Sequence, residues 1–217
     1  MNLSSKYLLV IQSSAPDLID ISQETPETLA LYGVEVGKPS FANNCLLARR
    51  LVERGVRFVA CYHGGWDAHS DVAGNVKGQC GQTDKPAAAL IKDLKQRGLL
   101  DETLIVWGGE FGRTCTSDGS LNGGGDSLGR DHNPFCFTNW LAGGGIRGGT
   151  IHGPSDEWGF KSADPDRATA LDQFRGVLRR LLTVAVATTL TAGALATTFA
   201  PAVDAAPVFQ LVDGSSS

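Results

Sequence analysis

Two short polar motifs carry the side chains best suited to chemistry in this chain. The first is Asp67-Ala68-His69, and the second is the adjacent pair Asp131 and His132. Carboxylates and imidazoles are the types of side chain that bind Zn²⁺, Mn²⁺ or Mg²⁺. The presence of imidazoles favours Zn²⁺ and Mn²⁺ over Mg²⁺. Asp67 and His69 are two positions apart, so both can point from one loop into one site. Asp131 and His132 could bind two neighbouring metal ions. Alternatively, one of them could bind a metal ion while the other hydrogen-bonds to a ligand of that ion.

Further polar residues lie between and around these motifs. Arg113 could clamp an anionic group such as phosphate or sulfate. Glu110 is three positions away, so the two could instead form a structural ion pair. All four histidines of the chain lie in or near this region, but His63 and His152 are better explained as structural residues. We therefore predict a divalent-metal site built mainly from the two motifs.

The predicted secondary structure places these motifs on loops that follow strands. Val56–Tyr62 and Thr103–Trp107 are short β-rich runs bounded by glycines, which predicts two buried strands. A helix predicted over Lys85–Arg97 connects them, and a strand–helix–strand unit implies a parallel sheet. Ligands bind beyond the carboxyl ends of such strands. Asp67 and Glu110 are therefore expected at one edge of the sheet.

Other segments have weaker patterns. A helix is predicted over Phe41–Arg54 because Ser40 can cap it and its apolar residues form one stripe. Cys136–Ala142 is a candidate third strand. Residues 1–39 are broken by prolines and are predicted to be an irregular lead-in, and Asp166–Leu182 has a last helical pattern.

Composition excludes some classes of protein. The chain has 217 residues, a formal net charge of -4 and 42% hydrophobic residues, enough for one globular domain with a core. The negative charge argues against a nucleic-acid partner. Its five cysteines form no Cys-x-x-Cys pair, which argues against a thiolate zinc site. Cys45 and Cys61 lie in apolar runs and are predicted core residues.

The end of the chain has an unusual composition. Arg179 and Arg180 precede a long run of small and apolar residues, Leu181–Phe199. A basic start, an apolar middle and a small-residue exit are typical of a secretory signal peptide, which normally stands at the N-terminus. The run is also close to the roughly twenty residues that span a bilayer. We predict an apolar helix here, with membrane contact through residues 181–199.

Several long motifs match one family pattern: Ser13–Pro16, Ser40–Ala42, Asn44–Phe58, Gly65–His69, Leu104–Thr114, Gly129–Pro134 and Trp140–Gly145. At these residues the chain resembles the DUF1501 proteins, which are grouped with the alkaline phosphatase and sulfatase superfamily. The resemblance covers about residues 10–165. Its motifs are long, so it is specific.

The resemblance implies a fold and a set of ligands. The expected fold is an α/β, mostly parallel sheet flanked by helices, a partial alkaline phosphatase-like fold, plus the unrelated apolar C-terminal helix. Divalent metal is expected at the strand ends, Zn²⁺ foremost, with Mn²⁺, Mg²⁺ or Ca²⁺ as alternatives. The ligands implied in this chain are Asp67, His69, Glu110, Asp131 and His132. Superfamily enzymes cleave phosphate or sulfate esters.

The resemblance also suggests how the chain is divided. Relatives carry a longer N-terminal portion, which in the superfamily supplies a strand, an aspartate ligand and the nucleophile. We therefore interpret the chain as the C-terminal portion of the family: a lead-in at 1–39, an incomplete DUF1501-like α/β hydrolase domain at 40–165, and a divergent tail at 166–217. The nucleophile is not identified.

Three functions compete at this point. The first is a metal-dependent phosphoesterase or sulfatase-like hydrolase that acts on a small anionic ester. The second is a non-catalytic remnant that binds metal or an anion, and the third is a membrane-attached interaction domain held by residues 181–199. The apolar patch in Met1–Gln12 is too short for an export signal, so a cytoplasmic or membrane-associated location is expected. Oligomeric state is not indicated.

Overall fold

A computed structural model describes residues 17–109, 112–117, 128–151, 153–163, 182–187 and 209–212. Its helices include α1 (Pro26–Tyr32), α2 (Phe41–Glu53) and α3 (Val72–Gln96), and short 3₁₀ turns cover Ile21–Gln23 and Leu100–Glu102. The strands are β1 (Phe58–Tyr62), β2 (Thr103–Gly108), β3 (Gly112–Ser117), β4 (Arg130–Asn133), β5 (Trp140–Gly143), β6 (Leu182–Ala187) and β7 (Phe209–Val212).

Five of these strands form one sheet in the order β5-β2-β6-β1-β7. The strand β6 pairs in parallel with both β1 and β2, and β7 pairs in parallel with β1. The edge strand β5 runs antiparallel to β2. The remaining strands, β3 and β4, form a separate antiparallel pair. Both β1 and β2 therefore end on the same side, where the polar motifs begin.

Helix α2 confirms the predicted helix to within one residue. Ser40 caps it by accepting a hydrogen bond from the backbone N–H of Asn43, and Gly55 follows its end with a φ of 79°. Its apolar stripe is buried in the core together with β1 and the second half of α3. The stripe comprises Phe41, Cys45, Leu46, Ala48, Leu51 and Val52. The Ser40 cap and the helical spacing of apolar residues were sufficient to predict α2, because the stripe they define is the face that packs in the core.

Helix α3 is much longer than the predicted helix, which began at Lys85. Its cap is Asp71, whose carboxylate accepts a hydrogen bond from the N–H of Gly74, and Pro86 lies inside the helix. The early half contains glycines, including Gly78, and glycine costs about 1 kcal/mol relative to alanine in a helix. That composition predicted a loop. In the structure this half is helical, and Asn75 and Gln79 contact the loop that follows β1.

The predicted fold is wrong as it was stated, and the clearest error is the apolar C-terminal helix. Leu182–Ala187 is the strand β6, which lies between β1 and β2, with Thr183 opposite Phe58 and Leu182 opposite Thr103. β1 and β2 are therefore not neighbours. The antiparallel β5 and the separate β3–β4 pair also depart from the expected sheet. Three of the six residues in this stretch, Thr183, Val184 and Val186, are β-branched, and such residues favour a strand.

Much of the predicted tail lies outside the described residues, including 164–181 and 188–208. The last predicted helical pattern, Asp166–Leu182, falls there except for its final residue. In the part of the chain that the structure describes, no helix is both long enough and apolar enough to cross a bilayer.

The lead-in at 1–39 is more ordered than predicted. Thr25 caps α1 by accepting from the N–H of Thr28, Pro26 occupies its first turn, and Gly33 ends it with a φ of 76°. Proline suits the first turn because its missing N–H has no partner there in any helix. Pro26 therefore begins a helix, whereas the sequence analysis predicted that it interrupts regular structure. Residues 1–16 lie outside the described part.

The three predicted strands differ in how closely they match. β1 begins two residues later than predicted, and β2 extends one residue further. The third prediction, Cys136–Ala142, overlaps β5 only at Trp140–Ala142, since β5 spans Trp140–Gly143. The glycines after it, which marked its end correctly, turn the chain with positive φ at Gly143 and Gly144.

A buried ion network ties the helices together. The guanidinium of Arg49 on α2 is 3% exposed and lies 2.6 Å from carboxylate oxygens of both Glu24 and Glu53. It also lies 3.0 Å from Asp93 on α3, whose carboxylate accepts a hydrogen bond of 3.1 Å from the hydroxyl of Tyr32 on α1. Removing Arg49 would take one partner from each of these carboxylates, although Arg50 still pairs with Glu24, and Arg97 still pairs with Glu53 and Asp93.

We expect Arg49→Met to lower the free energy of unfolding by about 1–3 kcal/mol, because Glu24, Glu53 and Asp93 each lose one of their two cationic partners. Chemical denaturation followed by circular dichroism measures this loss. The control is Lys38→Met, which removes an exposed ion pair with Glu35 and should leave the free energy of unfolding nearly unchanged. Equal losses in the two variants would contradict the role assigned to the network.

We expect the five cysteines to differ in reactivity. Cys45 and Cys61 are fully buried, and burial raises the pKa of Cys61 to about 12 and that of Cys45 well above its usual value. Thiolates react and thiols do not, so both should resist alkylation until the protein unfolds. Cys115 is exposed and should react in the native state. Peptide mass spectrometry after iodoacetamide treatment at pH 8 resolves the sites, and early labelling of Cys61 would refute this expectation.

Candidate metal centre

The loop that follows β1 is held by α3. The amide of Asn75 donates a hydrogen bond of 2.8 Å to the carbonyl of Gly65, and Nε2 of His63 lies 2.8 Å from Oε1 of Gln79. His63 is 2% exposed, and the centroid of its ring lies 5.4 Å from the centroid of the Phe41 ring. The first half of α3 thus fixes the start of the loop that carries Asp67.

The other side of this loop is held by the chain that leads into β4. The N–H of Arg130 donates to the carbonyl of Ala68 at 3.1 Å, and the N–H of Val72 donates to the carbonyl of Leu128 at 3.3 Å. Between these bonds lies Gly129, where a Cβ would fall 2.1 Å from the carbonyl carbon of His69. Only glycine allows this backbone approach.

These contacts bring three candidate ligands together. Nε2 of His69 and Nε2 of His132 each lie 2.9 Å from Oδ1 of Asp67. The two imidazole rings are 5.2 Å apart, and the ligand atoms of all three residues lie within 4.8 Å of one another. We call these residues the Asp67 cluster. Asp67 and His132 are 65 positions apart in sequence, so the fold alone creates this proximity.

Arg113 completes the surroundings of the cluster. Its register partner in the β3–β4 pair is His132, and its guanidinium lies 2.8 Å from Oδ1 of Asp67. The hydrogen bond with His132 and the charge of Arg113 hold the pKa of the Asp67 carboxyl below its usual value, although partial burial opposes them. Asp67 is therefore ionised at neutral pH and able to act as a ligand.

The two remaining predicted ligands are Glu110 and Asp131. Glu110 lies outside the described residues, as does His152. Asp131 is exposed, and as the strand neighbour of His132 it projects from the opposite face of β4. The structure thus unites Asp67, His69 and His132 with Arg113.

Sequence reasoning missed the residues that position the loop. Asn75 and Gln79 had been assigned to a polar loop, whereas α3 begins at Val72 and places them one turn apart. Their i, i+4 spacing, together with Asp71 three positions before Gly74, was the available signal for an earlier helix start. The local sequence did not indicate that residue 129 must be glycine, because this requirement comes from the backbone of His69, which is distant in sequence.

The donor atoms of the Asp67 cluster are of the types that bind a small divalent cation. Zn²⁺ binds nitrogen and oxygen ligands at about 2.0–2.1 Å in a tetrahedron, which places neighbouring ligand atoms about 3.3 Å apart. The 2.9 Å separations in the Asp67 cluster are hydrogen-bond distances, and the three ligand atoms lie within 4.8 Å of one another, so the side chains would have to shift to hold a cation. Two imidazoles and one carboxylate are also a usual set of zinc ligands.

Comparison with known proteins identifies the family. A family model described as a protein of unknown function, DUF1501, matches residues 2–198. The chain belongs to the DUF1501 family. The match extends beyond the predicted 10–165 and includes nearly all of the apolar stretch 181–199 of this DUF1501 protein. No curated protein and no solved structure matches it.

We expect Gly129→Ala to disturb the Asp67 cluster, because its new methyl group collides with the backbone of His69. Overpacking of this kind costs about 1–3 kcal/mol. Urea denaturation measures the loss, and the imidazole NMR signals of His69 and His132 should shift with it.

The matched control is Gly78→Ala in α3. Nothing lies within 4 Å of the added methyl there, so the helix should gain up to about 1 kcal/mol while the imidazole signals stay in place. If both alanine variants leave the signals unchanged, the close approach at Gly129 does not position the cluster.

Proposed function

We propose that this DUF1501 protein is a metal-dependent hydrolase of phosphate or sulfate esters. The observation that carries this proposal is the convergence of Asp67, His69 and His132 at 2.9 Å separations, with the guanidinium of Arg113 beside them. The resemblance to the alkaline phosphatase and sulfatase superfamily supports the same reaction class. Glu110 and Asp131 stay predicted additional ligands.

Zn²⁺ is the proposed cation, because two imidazoles and one carboxylate favour it over Mg²⁺ or Ca²⁺. Three protein ligands leave one position open, as in catalytic rather than structural zinc sites. A cation bound there would polarise an ester oxygen and lower the pKa of a bound water to about 7. The cluster is partly exposed, so a substrate can reach it from solvent.

Arg113 has the proposed role of binding the anionic group of the substrate. Its side chain is 25% exposed, so it is held by the structure and still faces solvent. A guanidinium binds tetrahedral oxyanions through paired hydrogen bonds. In this arrangement Arg113 orients the ester, and the two histidines and Asp67 hold the cation.

A second candidate is a protein that binds an anion without catalysis. The ion pair of 2.8 Å between Arg113 and Asp67 favours it, because the carboxylate already has a positive partner within the protein. The two candidates differ in metal content and turnover, so one set of measurements separates them.

We expect purified protein to bind about one Zn²⁺ per chain and to hydrolyse aryl phosphates or aryl sulfates. Asp67→Asn and His132→Ala should each lose the metal and reduce kcat/KM by more than about 100-fold, because even outer partners of metal ligands change affinity or activity 10–100-fold. Metal analysis by mass spectrometry and a chromogenic ester assay measure both effects.

The control is Asp101→Asn, which changes an exposed carboxylate at the other end of β2 and should preserve both metal and activity. Stoichiometric metal without turnover would favour the non-catalytic candidate. Absence of stoichiometric metal after reconstitution with Zn²⁺ or Mn²⁺ would overturn the metal site itself.

A further inference from the structure

An open pocket lies between α3 and the carboxyl end of β2. Its volume is about 340 Å³, and we call it the tryptophan pocket. Three of the four tryptophans in the chain contribute to its lining. The lining includes Trp66, Trp107, Trp140, Ile91, Cys80 and Asp84. Such a concentration of indoles in one place is unusual for residues that only fill a core.

The pocket and the Asp67 cluster share two segments of chain. Trp66 directly precedes Asp67, and its carbonyl accepts a hydrogen bond of 3.0 Å from the N–H of Ala68, so the chain turns tightly at Asp67. Trp107 lies in β2, and the chain beyond β2 continues to Arg113, which contacts Asp67 at 2.8 Å. Because adjacent Cα atoms are about 3.8 Å apart, the wall of the pocket at Trp66 borders the residue that supplies the carboxylate of the cluster.

The pocket wall at β2 and β5 is formed before any ligand arrives. The rings of Trp107 and Trp140 stack at 5.6 Å with an angle of 10° between their planes. Phe41 meets Trp107 edge-on at 6.2 Å and supports it from the core. Stacked rings on a pair of strands have few alternative rotamers, so a ligand loses little affinity to ordering them.

The chemistry of the lining restricts the occupant. Most of the lining residues are aromatic or aliphatic, and Asp84 is the one charged residue among them. The carboxylate of Asp84 would repel a phosphate or sulfate group placed in the pocket. A volume of about 340 Å³ falls at the lower end of ligand pockets, which suits a single ring better than an extended chain. Indoles pack well against flat, apolar rings.

We infer that the tryptophan pocket binds an uncharged aromatic ring, and that this ring is the alcohol part of the ester whose anionic group reaches Arg113. The second half of this inference rests on the proposed function. The substrate class is then an aryl phosphate or aryl sulfate. Water supplies the oxygen that joins phosphorus or sulfur, the P–O or S–O bond to the ring oxygen breaks, and the phenol leaves with a proton.

The experiment measures binding of 4-methylphenol to the full chain by calorimetry, with and without added Zn²⁺. We expect a Kd of about 1 mM or tighter, since a compact ring can gain much affinity per atom. Binding should not need the metal. Quenching of tryptophan fluorescence provides a second readout, because three of the four tryptophans line the pocket.

A blocking variant tests the location. Ala88 is exposed and lines the pocket, so Ala88→Trp should fill it and weaken 4-methylphenol binding at least tenfold without unfolding the protein. Ala73→Trp, at an exposed position of the same helix outside the lining, is the matched control and should bind normally. Trp140→Ala, on the edge strand, is an independent variant that should also weaken binding.

Each outcome has a defined meaning. No binding up to about 10 mM, or equal binding by Ala88→Trp and the wild type, overturns the inference. Tighter binding of tetramethylammonium than of 4-methylphenol, abolished by Asp84→Asn, also overturns it in favour of a cation site. Hydrolysis of aryl and methyl phosphates with equal KM overturns the assignment to the substrate. Phenol binding by a protein that holds no metal would support the pocket and overturn only the proposed function.

Discussion

The buried guanidinium of Arg49 is the interaction on which the rest of the described fold depends. It lies on α2 and contacts carboxylates before α1, at the end of α2 and on α3, so one side chain sets how these helices lie on each other. Its pairing with Asp93 fixes the second half of α3. Because α3 is continuous from Val72 to Gln96, that constraint also places its first half, which is the half that contacts the candidate site.

Helix α3 therefore serves two purposes at once. Its first turns hold the loop after β1 through Asn75 and Gln79, and a later face lines the tryptophan pocket through Asp84 and Ile91. The Asp67 cluster and the pocket consequently rest on the same rigid element. A substrate that spans both would meet groups whose relative positions are set before binding, which is the arrangement that favours efficient catalysis.

The proposal that this protein is a hydrolase rests more on the geometry of the site than on similarity to characterised proteins. The family is described as one of unknown function, and no curated relative lends an activity. What supports the proposal is the physical content of the site: two imidazoles beside an ionised carboxylate, with a guanidinium next to them. The same guanidinium supports the non-catalytic alternative, because it already balances the charge of Asp67. Metal content and turnover separate these possibilities.

The sequence by itself determined the features that depend on neighbouring residues. Capping by Ser40 and the apolar stripe specified α2, β-rich runs bounded by glycine specified β1 and β2, and residue type singled out Asp67, His69, His132 and Arg113. Only the tertiary structure decided the rest, because those features depend on partners far along the chain. Contacts of Asn75 and Gln79 with the loop after β1 hold the glycine-containing half of α3, and pairing with β1 and β2 makes Leu182–Ala187 a strand instead of the predicted helix. The pairing of β3 with β4, which sets Arg113 opposite His132, likewise brings His132 rather than its strand neighbour Asp131 to Asp67.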